Sequence, residues 1–270
     1  IENDDFIVED HPQFNKLIDE IENSKVQYLF TMGKGGVGKT TVATQLATTL
    51  SNKGYSVLLA TTDPTKEINV ETTSNLNTAY IDEEQALEKY KKEVLATVND
   101  DTPQDDIDYI MEDLKSPCTE EIAFFKAFSD IMENQDDMDY VIVDTAPTGH
   151  TLLLLDSSEN HHRELKKKST QTTSNVETVL PKIQNKNLTQ MIIVTLAEKT
   201  PYLESKRLVE DLNRANIGHN WWVVNQSLVT LNQRDDLFSN KKEDESFWIN
   251  KIKNESFDNY FVIPYRISEY

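Results

Sequence analysis

Short apolar runs alternate along this chain with longer charged stretches whose apolar positions recur three or four residues apart. Val26-Gln27-Tyr28-Leu29-Phe30, Ser56-Val57-Leu58-Leu59-Ala60, Tyr140–Val143, Met191–Leu196, Trp221–Val224 and Tyr260–Ile263 read as strands. Continuous apolar runs of this length suit strands covered on both faces, hence a parallel sheet. Helical spacing fills the gaps between them. Phe14, Leu17, Ile18 and Ile21 predict a short amphipathic lead-in helix. Val42, Ala43, Leu46, Ala47 and Leu50 put a core-facing stripe on a helix running from Thr41 to Lys53 and closed by Gly54. Ser116 as N-cap and Pro117 at the first helical position open another, with Ile122, Phe125, Phe128 and Met132 on one side. Thr200-Pro201 is expected to cap a helix carrying Leu208, Val209 and Leu212.

This alternation predicts an α/β class chain: a doubly wound, mostly parallel sheet with helices on both faces. Residues 1–25 read as a lead-in or linker helix and residues 26–270 as one domain. A helical insertion is expected at about 65–138, with exposed helices over Glu83–Val94 and Ile107–Leu114 and a charged break at Asp100–Asp106. Residues 157–188 read as a polar connection with some helix, and Asn232–Glu245 as a charged loop.

Composition narrows the classes. The chain has 270 residues, and none of its apolar stretches approaches the roughly 20 residues of a membrane-spanning helix. It opens on Ile1 and an acidic segment, which reads as the cut edge of a longer polypeptide. A single cysteine, Cys118, excludes an internal disulfide and is compatible with a reducing compartment. The formal net charge of −20 argues against wide contact with nucleic acid or an anionic bilayer, since both would be repelled.

The chemistry concentrates in Gly33-Lys34-Gly35-Gly36-Val37-Gly38-Lys39-Thr40, followed by Thr41. Four of the chain's 7 glycines sit in this loop, between a strand and a helix. That is the setting in which a Walker A pattern becomes a phosphate site: successive backbone N–H groups and a helix N-terminus converge on an anion. Lys39 is placed to reach the β- and γ-phosphates of ATP, and the Thr40 hydroxyl to ligate Mg²⁺. Asp63 and Asp144 end two of the expected strands, and chemistry in an open parallel sheet gathers at strand carboxyl ends. Asp144 suits Mg²⁺ and Asp63 the attacking water, although either residue alone could be a helix N-cap.

Lys34, just after the first glycine, makes the loop resemble the deviant Walker A of the signature-lysine ATPases. In that class the early lysine reaches across a two-fold interface to a partner's nucleotide. Together with Ser116-Pro117-Cys118-Thr119-Glu120-Glu121-Ile122-Ala123, Asp144-Thr145-Ala146-Pro147-Thr148-Gly149-His150-Thr151, Val194–Glu198 and Trp222–Gln226, the loop resembles the arsenical pump-driving ATPases, specifically their C-terminal half. The likeness runs from about Phe14 to about Pro264 and implies a cytoplasmic ATP hydrolase docked peripherally on an integral membrane arsenite pump. It also implies a homologous ATPase half as partner, in the same chain or as a homodimer, and a metallochaperone among its contacts. Arsenite or antimonite, As(III) or Sb(III), would activate it, with Ser116, Cys118 and His150 as this half's ligands. A soft metalloid favours thiolate, and a helix N-terminus lowers a thiol's pKa. The resemblance further implies that Asn225 and the peptide around Pro264 meet the base, and that Glu198 lies near the facing unit's nucleotide. One cysteine cannot make a three-thiolate site, so a partner would have to supply the rest. The first switch departs from the family after Pro64, where Thr65-Lys66-Glu67 stands.

Other readings stay open on residues alone. Cys118 also suits a small buried apolar position, His150 a backbone hydrogen bond and Asn225 a turn. A tail-anchored-protein targeting ATPase shares the loop, but its Cys-x-x-Cys clasp and methionine-rich groove are not matched here. A non-hydrolytic, ATP-dependent dimerising interaction module would also need such a loop.

Overall fold

The computed structural model describes residues 11–62, 75–99, 102–132, 135, 137–144, 179, 181–230 and 236–265. Its centre is a parallel sheet of seven strands: β1 (Tyr28–Met32), β2 (Val57–Thr61), β3 (Leu76–Tyr80), β4 (Tyr140–Asp144), β5 (Thr189–Thr195), β6 (Trp221–Ser227) and β7 (Tyr260–Pro264). They lie in the order β3-β2-β4-β1-β5-β6-β7. β1 is therefore flanked by β4, in register Thr31 to Asp144, and by β5, in register Met32 to Ile193.

Every residue of β1, β2, β4 and β5 is buried, because successive side chains enter opposite apolar layers. One layer gathers Leu29, Leu59, Ile142, Ile192 and Val223 against α1 (Phe14–Ser24) and α2 (Lys39–Asn52). Within it α1 buries Phe14, Leu17, Ile18 and Ile21, and α2 buries Val42, Ala43, Leu46, Ala47 and Leu50. The other layer gathers Phe30, Val141, Met191, Trp222 and Val262. It is covered by α5 (Pro117–Met132), α6 (Lys199–Arg214) and α7 (Asp236–Glu255), through Phe125, Phe128, Leu212, Ile249 and Ile252. Phe128 meets Phe30 edge-on with centroids 5.1 Å apart, a pair worth about 1 kcal/mol beyond its burial. Helices on both faces of a parallel sheet make the fold doubly wound, and its helix-then-strand alternation is that of P-loop NTPases.

Three expectations are corrected. The segment between β2 and β4 holds a strand, β3, as well as the helices α3 (Glu83–Leu95) and α4 (Gln104–Asp113). β3 lies at the sheet edge and buries Leu76 but exposes Asn77, Thr78 and Tyr80, so it lacks the apolar run of an inner strand. The stretch Asn232–Glu245 is not a loop over its second part, because α7 begins at Asp236. Its buried anchors, Glu245, Ile249 and Ile252, come late in a sequence crowded with charge. Helix α6 starts at Lys199 with Glu198 at its N-cap, which puts Pro201 inside the first turn, where a missing N–H costs nothing.

Candidate functional site: a glycine loop at the carboxyl edge of the sheet

The loop between β1 and α2 emerges where β1 parts from its neighbours β4 and β5, at the switch point of the sheet. Its glycines are required at two places. A Cβ on Gly33 would stand 2.1 Å from the Val194 carbonyl oxygen, so only glycine lets the loop pass the end of β5. Gly38, the residue that caps α2, has φ +90°, and a Cβ there would stand 2.2 Å from Asn225 Nδ2. No side chain caps α2. Its first N–H groups, left without a side-chain cap, suit an anion. Val37 is buried in the α2 layer and anchors the loop from beneath, while Lys34, Gly35 and Gly36 are exposed.

Two lysines leave the loop in different directions. Lys39, in the first turn of α2, donates from Nζ to the Lys34 carbonyl oxygen at 3.3 Å, curling over the loop. Burial lowers its pKa from the ordinary value, only partly offset by the charge of Asp144. The ammonium is thus placed where further negative charge would stabilise it. Lys34 instead pairs with Glu204 of α6, Nζ to Oε1 at 3.3 Å, with both side chains about two-fifths exposed. Thr40 is half-buried and Thr41 exposed in the first turn of α2.

Asp144 ends β4 with its carboxylate buried. Thr61, at the end of β2, donates from Oγ1 to Asp144 Oδ2 at 3.1 Å. The bond holds the carboxylate at the edge where the loop sits, and nothing in the sequence pattern announced it. Asp63 and His150 lie outside the described residues, so their expected roles have no geometry here. Ser116 precedes α5, half-buried, and its carbonyl accepts from Thr119 N at 3.0 Å. Cys118 falls in the first turn of that helix, and its side chain lies outside the described set. Among the described residues there is no group of three or more His, Cys, Asp or Glu side chains able to hold a metal ion.

Asn225 ties the loop to β6. Its Nδ2 donates to the Val37 carbonyl oxygen at 2.9 Å, and its Oδ1 accepts from Gln226 N at 3.0 Å. Beside it opens a cavity of about 360 Å³ walled by Leu196, Ala197, Leu228 and Tyr265, with Glu198, Gln226, Lys241 and Glu245 supplying polar groups. Mixed apolar walls and a few polar groups suit a small planar ligand part. The structure thus brings together the loop, Thr40, Asp144, Asn225 and Glu198 along one edge of the sheet. Sequence reasoning overlooked Thr61, Lys241 and Glu245.

Known families place this geometry. The model of the anion-transporting ATPases matches residues 26–179 and, in a second stretch, residues 157–269. The chain belongs to the anion-transporting ATPase family. Similar members include arsenical pump-driving ATPases of Acidiphilium multivorum, 38% identical over 94% of this chain and 44% of that protein, and of Escherichia coli, 37% identical over 96% of this chain and 45% of that protein. The chain therefore spans a little under half the length of these two relatives. A putative arsenical pump-driving ATPase of Aquifex aeolicus is 32% identical over 90% of this chain and 94% of its own length. Among the described residues of this family member, no helix is long and apolar enough to cross a membrane.

Proposed function

We propose that this family member is an ATP-hydrolysing half-unit of an arsenical pump-driving ATPase. The observation that carries the reading is the glycine loop with Lys39 curled over it and Asp144 held beside it by Thr61. The loop N–H groups and the first turn of α2 bind the phosphate chain, and Lys39 neutralises its terminal groups. An anion there would meet the half-buried ammonium's need for a counter-charge. The donor set fits Mg²⁺, because the Thr40 hydroxyl and Asp144 carboxylate are hard oxygen ligands; the ion would supply charge neutralisation between phosphoryl oxygens. Asp63 orients the attacking water. Catalysis is mainly positioning and charge stabilisation.

The base of ATP occupies the cavity beside Asn225, with Tyr265 following the peptide around Pro264. Lys34 acts across an interface with a homologous half, in one polypeptide or as a second copy, and Glu198 faces that partner's nucleotide. The names of the similar proteins from Acidiphilium and Escherichia coli support a role in driving an arsenical pump. Arsenite or antimonite is the cargo and activator, with Ser116, Cys118 and His150 contributed from this half and further thiols from the partner. The protein works in the cytoplasm, docked on the membrane pump.

The test is steady-state ATP hydrolysis at rising metalloid concentration, alongside ATP-binding titrations. Lys39→Ala is expected to abolish nucleotide binding. Cys118→Ser is expected to lose metalloid stimulation while keeping the basal rate. An unchanged ATP affinity in Lys39→Ala would remove the phosphate site, and equal stimulation of the Cys118→Ser variant would remove the thiol from the mechanism.

A further inference from the structure

Glu245 is a carboxylate almost entirely out of solvent, at 5% exposure, on a helix whose other buried anchors are apolar. Burying such a group is costly unless hydrogen bonds compensate. The compensation is specific. Glu245 Oε2 accepts from Ser227 Oγ at 2.9 Å and from Leu228 N at 2.8 Å, both at the carboxyl end of β6. Ser227 Oγ in turn accepts from Val229 N at 3.2 Å. The Ser227 carbonyl accepts from Tyr265 N at 2.9 Å, joining β6 to the chain just past β7.

This end of β6 needs holding. Its pairing with β7 shifts register between Val224 and Ser227, and Gln226 adopts φ +56°, a left-handed conformation uncommon for a residue with a side chain. The irregularity leaves Gln226, Leu228 and Tyr265 around the cavity. Nothing in the local sequence favours that conformation. A buried carboxylate bonding the following two residues does, and Glu245 itself forms part of the cavity wall.

We infer that Glu245 is a positioning residue for the nucleoside end of the site: it fixes the bulged end of β6, and so the shape of the cavity next to the loop. The inference rests on the nucleotide reading above. Its consequence is a separation of effects. Asn225 braces the loop through its own bond to the Val37 carbonyl, in which Glu245 takes no part, so the phosphate cradle does not depend on Glu245.

The experiment titrates the chain with ATP and with inorganic tripolyphosphate, both with Mg²⁺, in four forms: unmodified, Glu245→Ala, Glu245→Gln and Ser227→Ala. The ratio of the two affinities measures what the nucleoside contributes. Glu245→Ala is expected to lower ATP affinity about tenfold and leave tripolyphosphate within about twofold. Glu245→Gln, whose carbonyl oxygen still accepts, is expected to stay within about threefold of the unmodified chain, with Ser227→Ala in between. Ser227→Ala keeps a compensated Glu245 through Leu228 N, so it carries the test should Glu245→Ala fail to fold. Parallel loss of both ligands in the variants, or an unchanged affinity ratio, would overturn the positioning role. An unmodified chain that binds tripolyphosphate and ATP equally would overturn it too, by showing that no nucleoside sits in the cavity. An unmodified chain that binds neither would instead strike at the phosphate site beneath it.

Discussion

Thr61 Oγ1 and Asp144 Oδ2 meet at 3.1 Å across two neighbouring strand ends, both residues buried. The hydroxyl gives the carboxylate a fixed orientation beside the glycine loop. Thr61→Val removes the donor while keeping the side-chain volume close. It is expected to lower unfolding free energy by about 1–3 kcal/mol, the cost of a buried acceptor losing one of its donors. In urea the midpoint should fall with the slope unchanged. The same variant should weaken the Mg²⁺ dependence of ATP binding, since Asp144 would be held less firmly toward the site. A variant of unaltered midpoint would show that the bond contributes nothing.

Gly38 offers a sharper contrast inside the loop. Gly38→Ala would put a methyl where Asn225 Nδ2 lies, on a backbone at φ +90°. Relief requires moving the Asn225 amide, which breaks its bond to Val37. The expected loss is about 1–3 kcal/mol in stability, together with weakened polyphosphate binding. Gly35→Ala is the control, because a Cβ there meets nothing within 4 Å and the backbone is not left-handed. It should change stability by less than about 0.5 kcal/mol. Equal effects at the two positions would mean that the clash with Asn225 is not felt.

Lys39 carries a pH signature. Burial lowers its folded-state pKa below the ordinary 10.5. Between the lowered value and 10.5 the unfolded chain binds more protons than the folded one, so this residue makes stability rise with pH across that window. Below the folded value both states are protonated, and the destabilisation is fully present. Lys39→Met should therefore be neutral or stabilising at pH 7 in the absence of ligand, by no more than about 1 kcal/mol once solvent screening is allowed for. The stability gain should vanish as pH approaches 10.5, while ATP binding is lost at every pH. A clear destabilisation at pH 7 would show that attraction to Asp144 outweighs burial.

How far the sequence announces this architecture depends on burial. Phe30, Leu59, Ile142 and Val194 sit in strands covered on both faces, so their apolar runs stand out. The stripe on α2 is equally plain, because one helix face carries all its buried apolar residues. β3 hides because an edge strand with one buried residue has no run to show, and α7 hides because charge masks a late, narrow stripe. In the site, the loop glycines are legible because a tight backbone leaves few alternatives. The bonds that orient the site are not: Thr61 reaches Asp144 across 83 residues and Asn225 reaches Val37 across 188. Glu245 is the least legible, since a glutamate among lysines and aspartates reads as solvated until its helix is docked.

The pairing of Lys34 with Glu204 bears on the proposed interface. A lysine that must cross to a partner's nucleotide cannot also hold Glu204 in its own chain, so the 3.3 Å contact competes with association. Because both groups are substantially exposed, the pair contributes little to folding, and Glu204→Gln should alter unfolding free energy by under about 0.5 kcal/mol. Its effect should appear on assembly instead. Freed from Glu204, Lys34 would engage the partner at lower cost. Self-association of the chain in ATP and Mg²⁺ should then tighten, by about twofold for each lysine released from a pair worth about 0.5 kcal/mol. Sedimentation at several concentrations, with and without nucleotide, measures this directly. Lys34→Ala should abolish the nucleotide-dependent part, and combining it with Glu204→Gln should give no further change. If Glu204→Gln tightened association equally without nucleotide, the gain would come from reduced charge repulsion between acidic chains and not from a released lysine.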